Sequence, residues 1–393
     1  MTDLLSRRKM MQELLSVGTV AFVGPAKGLL AQLRRDGRPT GLETGEMNRI
    51  DQAFRRKYQI PASSIAMSRN GQIVYEHAGG MADKQQAVQA EEASLFRIAS
   101  VTKPITSVAI FMLVEQGKLN LNDKVFGPSG VLGTKYGRGP YKQYVTDVTV
   151  DSLLTHTSGG WPNDSTDPMF SHDSWDYQKL IEWTIANLPL TYPPGQHWAY
   201  SNFGYCVLGR VIEAVTGQPY ATWVQANVLA PCGITKMQIA ANKENQRASN
   251  EVVYYGQFGE NPYNMNVTRM DSHGGWIATP TDLVKFLNHV AGAPGIQALL
   301  RPATIKMMTT PAAAYDENAQ AKYARGWMVR NNGAGNWWHN GSLPGSTTIM
   351  VRTATGMCWA GLTNTRSQPA NEINASLDQM IWNMARCVPE WGA

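Results

Sequence analysis

The chain carries its strand-forming runs at its two ends and little of that kind between them. Near the start, Ser64–Ser68 and Gln72–Glu76 flank Arg69-Asn70-Gly71. An Asn-Gly pair between apolar-rich runs is the strongest short-range signal for a hairpin. Far downstream, Arg325–Arg330, Asn336–His339, Thr347–Arg352 and Met357–Thr363 are short, β-branched or aromatic, and separated by Gly-containing turns. Helices are expected over Glu43–Lys57, near 102–116, 177–187, 203–216 and 219–229, from Thr279 onward, and near 371–386. The stretch from about 120 to 270 is rich in loops, Gly, Pro and aromatic residues. Strands at both ends with helices between and after them predict an α+β fold, with one sheet built from both chain ends and an inserted, mostly helical region.

Bulk composition narrows the class. The chain has 393 residues, 43% of them apolar and 17% charged, enough to bury a sizeable core. Its net charge of +5 is dispersed, with no basic run after the first sixty positions, which argues against a nucleic-acid partner. Cys206, Cys232, Cys358 and Cys387 form no C-x-x-C pair, so they read as buried or single thiols and not as zinc ligands. Ser6-Arg7-Arg8-Lys9 precedes a weakly apolar stretch, Leu14–Ala26, with Ala26-Lys27-Gly28 as a small-x-small cleavage site. This shape predicts a signal or leader with linker over 1–41 and a periplasmic or secreted protein, a cytoplasmic one being the alternative. No later stretch is apolar for long enough to form a second span.

Three segments carry chemistry. In Ser100-Val101-Thr102-Lys103-Pro104, the residues Ile105, Val108, Ala109, Met112 and Leu113 trace a buried helix face, and Pro104 belongs in the first turn of that helix. Ser100 then lies at the helix start among free N–H groups, with Lys103 one turn on along the same face. A partly desolvated Lys can lose its proton and activate the hydroxyl. In Tyr200-Ser201-Asn202, Asn202 suits a helix N-cap, and a Tyr beside an ammonium is expected to have a lowered pKa and to shuttle a proton. The third segment is His339-Asn340-Gly341-Ser342.

Taken in order, these segments resemble the S-x-x-K, Y-x-N and K-T-G boxes of the serine β-lactamase and DD-peptidase superfamily, closest to class C β-lactamases, carboxypeptidases and their esterase relatives. Flanking phrases agree: Leu153-Leu154-Thr155-His156-Thr157-Ser158-Gly159-Gly160, Gly274-Gly275 and Tyr323-Ala324-Arg325-Gly326-Trp327. The resemblance covers roughly residues 43–386. It implies an antiparallel sheet subdomain over 42–120 plus 271–393, a helical subdomain over 121–270, and a cleft between them. It also implies a Ser100 acyl-enzyme, Lys103 and Tyr200 managing protons, and an oxyanion hole from the N–H groups of Ser100 and Ser342. Asn202 would bind the acyl-side amide of the substrate, and Gly341 would keep the strand edge clear.

The third box departs from the β-lactamases. His339 stands where a permanent cation faces the substrate carboxylate, and a neutral imidazole retains one hydrogen bond for Tyr200 or substrate. The expected function is a serine hydrolase acting on a small ester or amide, with ester favoured. The alternatives are a DD-carboxypeptidase or weak β-lactamase, and a non-turnover penicillin-binding sensor or an acyltransferase on the same fold. Partners are small-molecule ester, peptide or β-lactam substrates, and the boxes call for no cofactor or metal. His156 is expected to be a structural hydrogen-bonder, and Ser171–Asp176 a solvated lid lacking metal-site spacing. Asn340-Gly341-Ser342 is also an N-glycosylation sequon, but a glycan there would block the cleft.

Overall fold

Both ends of the chain meet in one sheet. The computed structural model describes residues 37–315, 319–330, 335–366, 370–389 and 391, so most of the leader read from 1–41 lies outside the described residues. Helix α1 (Gly41–Tyr58) opens on a capping box, Thr40 Oγ1 accepting from Glu43 N while the Glu43 carboxylate accepts from Thr40 N. Strands β1 (Ala62–Arg69) and β2 (Gln72–Asp83) follow, joined by Asn70 and Gly71 at φ 48° and 86°. Positive φ at both central residues is what a twist-matched two-residue hairpin requires.

The elements then run β3 (Val88–Gln89), β4 (Phe96–Arg97), α2 (Thr102–Glu115), α3 (Val150–Leu154), α4 (Tyr177–Asn187), α5 (Asn202–Thr216), α6 (Tyr220–Val224), β5 (Gln238–Ile239), β6 (Tyr255–Gly256), β7 (Trp276–Ala278), α7 (Pro280–Ala291) and α8 (Pro302–Met308). Strands β8 (Ala321–Tyr323), β9 (Met328–Arg330), β10 (Trp337–Leu343), β11 (Ser346–Arg352), β12 (Met357–Thr363) and β13 (Thr365–Arg366) precede the closing helix α9 (Ala370–Arg386). The main sheet has eight strands in the order β3-β2-β1-β12-β11-β10-β9-β8, and its paired strands are antiparallel. β1 and β12 join the two ends of the chain, with Ser63 opposite Thr363 and Arg69 opposite Met357.

Strand periodicity sends alternate side chains to two cores. Ile65, Met67, Ile349, Val351, Met357 and Trp359 pack with Met47 and Phe54 of α1 and with Ile373, Leu377 and Ile381 of α9. Their neighbours Ala62, Ala66, Met350, Cys358, Ala360 and Leu362 face the larger core, which holds Ile105 and Val108 of α2, Leu208 and Val211 of α5, and Leu283, Phe286, Leu287 and Val290 of α7. Each full burial of such a side chain contributes about 1.5–3 kcal/mol. The four thiols are unpaired, and three of them are buried. Among the described residues, no helix is long and apolar enough to cross a membrane.

Strand β2 runs past the expected Glu76 to Asp83, and three other expected elements need amendment. Strand β10 does not stop at His339 but runs to Leu343, because Asn340 to Leu343 pair with Ile349 to Ser346 of β11. The extended run expected from Arg325 begins only at Met328, after Gly326 turns at φ 84°. The helix expected over 219–229 is regular only to Val224, then widens into a π turn over Gln225–Leu229.

Candidate active site

The backbone ahead of Ser100 is pinned by three hydrogen bonds to two strands, β11 and β7. Ser346 Oγ donates to Arg97 O at 2.6 Å, Thr348 Oγ1 donates to Ile98 O at 2.9 Å, and Ile98 N donates to Trp276 O at 3.0 Å. Ala99 is held at φ 48°, a left-handed conformation that costs a non-glycine residue about 1–2 kcal/mol. The chain then enters a short 3₁₀ turn, Ala99–Val101, that leads into α2. Ser100 thus sits in the opening turn of a helix, half-buried at a cavity wall. Strand β10 approaches this turn so closely that a Cβ at Gly341 would lie 2.3 Å from Thr348 Oγ1 and 2.5 Å from Ile98 O. β9 pairs with β10 only at Trp337 and Trp338, which leaves the β10 edge beyond them open beside the Ser100 turn.

Lys103 is completely buried on the next turn of α2. Its Nζ lies 3.2 Å from Ser100 Oγ, 2.7 Å from Asn202 Oδ1 and 3.1 Å from His273 O. Asn202 Oδ1 and His273 O can only accept hydrogen bonds, so a neutral amine gives them its two hydrogens. Its lone pair is then left for the Ser100 hydroxyl. Burial pulls the Lys103 pKa down to about 7, with the Asp167 carboxylate acting in the opposite direction. Tyr200 also hydrogen-bonds Ser100, but burial drives its phenol above the ordinary value instead of below it. The expected lowering does not occur: desolvation is the largest effect, the Ser100 hydrogen bond only opposes it, and the Asp167 charge adds to the rise. Lys103 Nζ stands over the Tyr200 ring, 4.7 Å from its centroid.

His339 is buried and faces neither Tyr200 nor substrate with a free N–H. Its Nδ1 is 2.6 Å from Asn340 O, a carbonyl that only accepts, so Nδ1 carries the hydrogen. Nε2 then accepts from Tyr323 Oη at 3.1 Å. Burial, followed by the charge of Lys103, depresses the His339 pKa to about 3, so the ring is neutral throughout the ordinary working range.

Asn202, the first residue of α5, is fully engaged. Its Nδ2 donates to Asn163 Oδ1 at 2.9 Å and to Asp167 Oδ2 at 2.8 Å, while Oδ1 accepts from Lys103. The amide expected to hold the substrate therefore spends both hydrogens inside the protein. His156 is buried, with Nδ1 accepting from Ser201 N at 3.1 Å and its ring 4.2 Å from that of Tyr200, which matches the structural part expected of it.

The residues that the three boxes and their resemblance singled out, Ser100, Lys103, Tyr200, Asn202, His339, Gly341 and Ser342, all converge here. Asn163, Asp167, His273 and Tyr323 complete the constellation and were not singled out. Asp167 carries a faint local signal, as the cap of the short turn Pro168–Phe170. The Ser171–Asp176 stretch is exposed but not loose. Its carbonyls at Ser171, His172 and Trp175, with that of Met169, accept from the Arg269 guanidinium at 2.8–3.0 Å. The cavity these groups surround is about 570 Å³, with Phe170, Trp198, Met270, Met328 and Leu343 among its walls. Among the described lining residues, the permanent cation is Arg366, which is ion-paired with Glu260.

A hydroxyl beside an amine near neutrality, at a helix start and an open strand edge, is equipped for acyl transfer. Comparison with known proteins agrees. The family model Beta-lactamase matches residues 47–379. A putative D-alanyl-D-alanine carboxypeptidase of Escherichia coli (strain K12) is 26% identical over 332 residues, 74% of this chain and 74% of that protein. Esterase EstB of Burkholderia gladioli is 34% identical over 196 residues, 47% of this chain and 48% of that protein. The chain thus spans from about half to about three quarters of the length of these two relatives. Among solved structures, a D-amino acid amidase from Ochrobactrum anthropi SV3 superposes with a TM-score of 0.70 at 22% identity, covering 87% of this chain and 98% of that one, a likeness of fold. The chain belongs to the beta-lactamase family and has the beta-lactamase fold.

Proposed function

We propose that this protein is a serine hydrolase that forms an acyl-enzyme at Ser100 and prefers small, uncharged esters. Lys103 takes the Ser100 proton as the Oγ–carbonyl bond forms, and the N–H groups of Ser100 and Ser342 hold the oxyanion. Each such donor is worth roughly 3 kcal/mol in the transition state. As the tetrahedral centre collapses, the ester C–O bond breaks and the alcohol leaves with a proton passed back through Lys103 and Tyr200. Water then attacks the acyl carbon as Lys103 and Tyr200 take up its proton. The acyl carbon–Oγ bond breaks, the carboxylic acid leaves, and the proton returns to Ser100 Oγ.

The observation that carries the ester preference is the neutral His339, locked to Tyr323 and Asn340, on a wall whose described cation is already paired. A substrate carboxylate would enter a cavity that offers it, among the described lining residues, no unpaired permanent cation, which is unfavourable. The missing charge-assisted contact corresponds to about 10–100-fold in rate. The test is a panel of a short-chain ester, a cephalosporin and a D-Ala-D-Ala peptide compared by kcat/KM. The ester should lead by at least about tenfold, and a lead for either carboxylate-bearing substrate would sink the preference.

One observation favours a second reading, DD-carboxypeptidase or weak β-lactamase activity: the Arg366 guanidinium lies on the cavity wall, where it could meet a substrate carboxylate if that displaced Glu260. The division into a sheet body (42–120 plus 271–393) and a helical insert (121–270), and export directed by the Arg7-Arg8 leader, belong to the same proposal.

A further inference from the structure

Asp167 is buried, yet no step described above uses it. Both of its oxygens accept hydrogen bonds, Oδ1 from Met169 N at 2.9 Å and Oδ2 from Asn202 Nδ2 at 2.8 Å. That is the pattern of an ionised carboxylate, which has no hydrogen to give. A carboxylate at this place decides which way the Asn202 amide faces. With Asn163 Oδ1 and Asp167 Oδ2 both demanding hydrogens, Nδ2 must turn to them and Oδ1 must turn to Lys103. Asn202 Oδ1 and His273 O in turn take the two hydrogens of the free amine and leave its lone pair towards Ser100.

We propose that Asp167 is a positioning residue for the acylation step. Through Asn202 it aims the Lys103 lone pair at Ser100, and its negative charge helps set the pH at which Lys103 becomes a free base. This inference rests on the reading of Ser100 as nucleophile and Lys103 as its base. The groups around Lys103 make Asp167 its distinctive counter-charge. From α5 and the segment before it come the rings of Tyr200 and Tyr205. The loop after α3 contributes His156, the segment before β7 contributes His273, and β10 contributes His339. All three imidazoles are held below their ordinary pKa by burial and then by the charge of Lys103 itself. Asp167 in turn is held above the ordinary carboxylate range by burial and by Asp164, while Asn202, the Met169 N–H and Lys103 oppose that rise. Arg269, the clamp on the following loop, also feels its charge.

The sign follows from the charge. An anion near Lys103 favours the ammonium, so removing it lowers the pH at which the amine becomes free. The test is the rate at which a fluorophosphonate labels Ser100, followed by intact mass from pH 5 to 9 in the full chain. Asp167→Asn and Asp167→Ser remove the charge, and the small hydroxyl of Ser avoids setting a donor against a donor. Asp167→Glu retains the charge. Each variant is checked for a cooperative thermal transition.

The acid limb should move down by about one pH unit in the Asn and Ser variants. Their plateau rate should fall about tenfold because the amine is no longer aimed. The Glu variant should keep the wild-type limb. A purely structural role would lower the plateau and leave the limb in place, and that result overturns the inference. So does a limb that moves equally in the Glu variant. Absence of any Ser100 adduct in the wild type would overturn the nucleophile assignment, and this inference with it. An unmoved limb overturns this inference alone.

Discussion

Among the described residues Lys103 is an amine with no carboxylate in direct contact: its hydrogen-bond partners are a hydroxyl, an amide oxygen and a backbone carbonyl. Its depressed pKa, about 7, makes kcat/KM for a neutral ester rise with pH through a midpoint near that value. A stopped-assay pH profile checks this, and a midpoint above 9 would mean that the amine is not the base. His339 has the converse property, a neutral ring at the place that corresponds to the lysine of the K-T-G box it resembles. His339→Lys should raise the ratio of cephalosporin to ester kcat/KM by about tenfold or more, measured on both substrates in parallel. A serine and a lysine one helical turn apart at a helix start are local facts, and the resemblance of three boxes in order added Tyr200 and His339 to Ser100 and Lys103. The engagement of Asn202 was not legible. Its partners Asn163 and Asp167 lie 39 and 35 residues away in a loop whose path depends on the folded whole. The direction of the Tyr200 shift was misjudged for the same reason, since burial is a tertiary property.

At the scale of elements, strand β10 is both a sheet member and a wall of the site. Gly341 allows it to approach the Ser100 turn, and a methyl group there would meet the Ile98 carbonyl and the Thr348 hydroxyl. Gly341→Ala should therefore destabilise the fold by about 1–3 kcal/mol in urea titration. Ester turnover should fall more than about tenfold, since a 1 Å displacement near the chemistry is costly. Wild-type turnover in the variant would show that β10 does not gate the site. The Asn70-Gly71 hairpin could be read in advance because two residues of fixed conformational preference specify it. The full length of β10 could not, because its last four residues are strand only by virtue of β11. Arg269 makes the same point for the Ser171–Asp176 stretch, a polar loop in sequence that the fold ties to one guanidinium.

At the scale of the molecule, His156, His273 and His339 are all buried in one neighbourhood as neutral rings, with pKa values held down by burial and then by Lys103. Their folded-state pKa values lie below the unfolded value of roughly 6.5, so the unfolded chain binds more protons in acid. The stability they permit is present above about pH 6.5 and is lost as pH falls below it, at up to about 1.4 kcal/mol per pH unit for each ring. Calorimetry should show Tm falling progressively from pH 6.5 to 4.5, and an unchanged Tm across that window would contradict the neutral burial of these rings. The α+β architecture itself was legible, because strands at both chain ends must find one another to bury their two faces.

The central claim is that Ser100 becomes acylated with Lys103 as its base. Intact-mass analysis of the full chain after brief exposure to a nitrophenyl ester or fluorophosphonate tests it. The expected result is a single adduct mapped to Ser100, lost in Ser100→Ala and slowed at least about 100-fold in Lys103→Met. An adduct that survives Ser100→Ala, or ester turnover without any covalent species on Ser100, would contradict it.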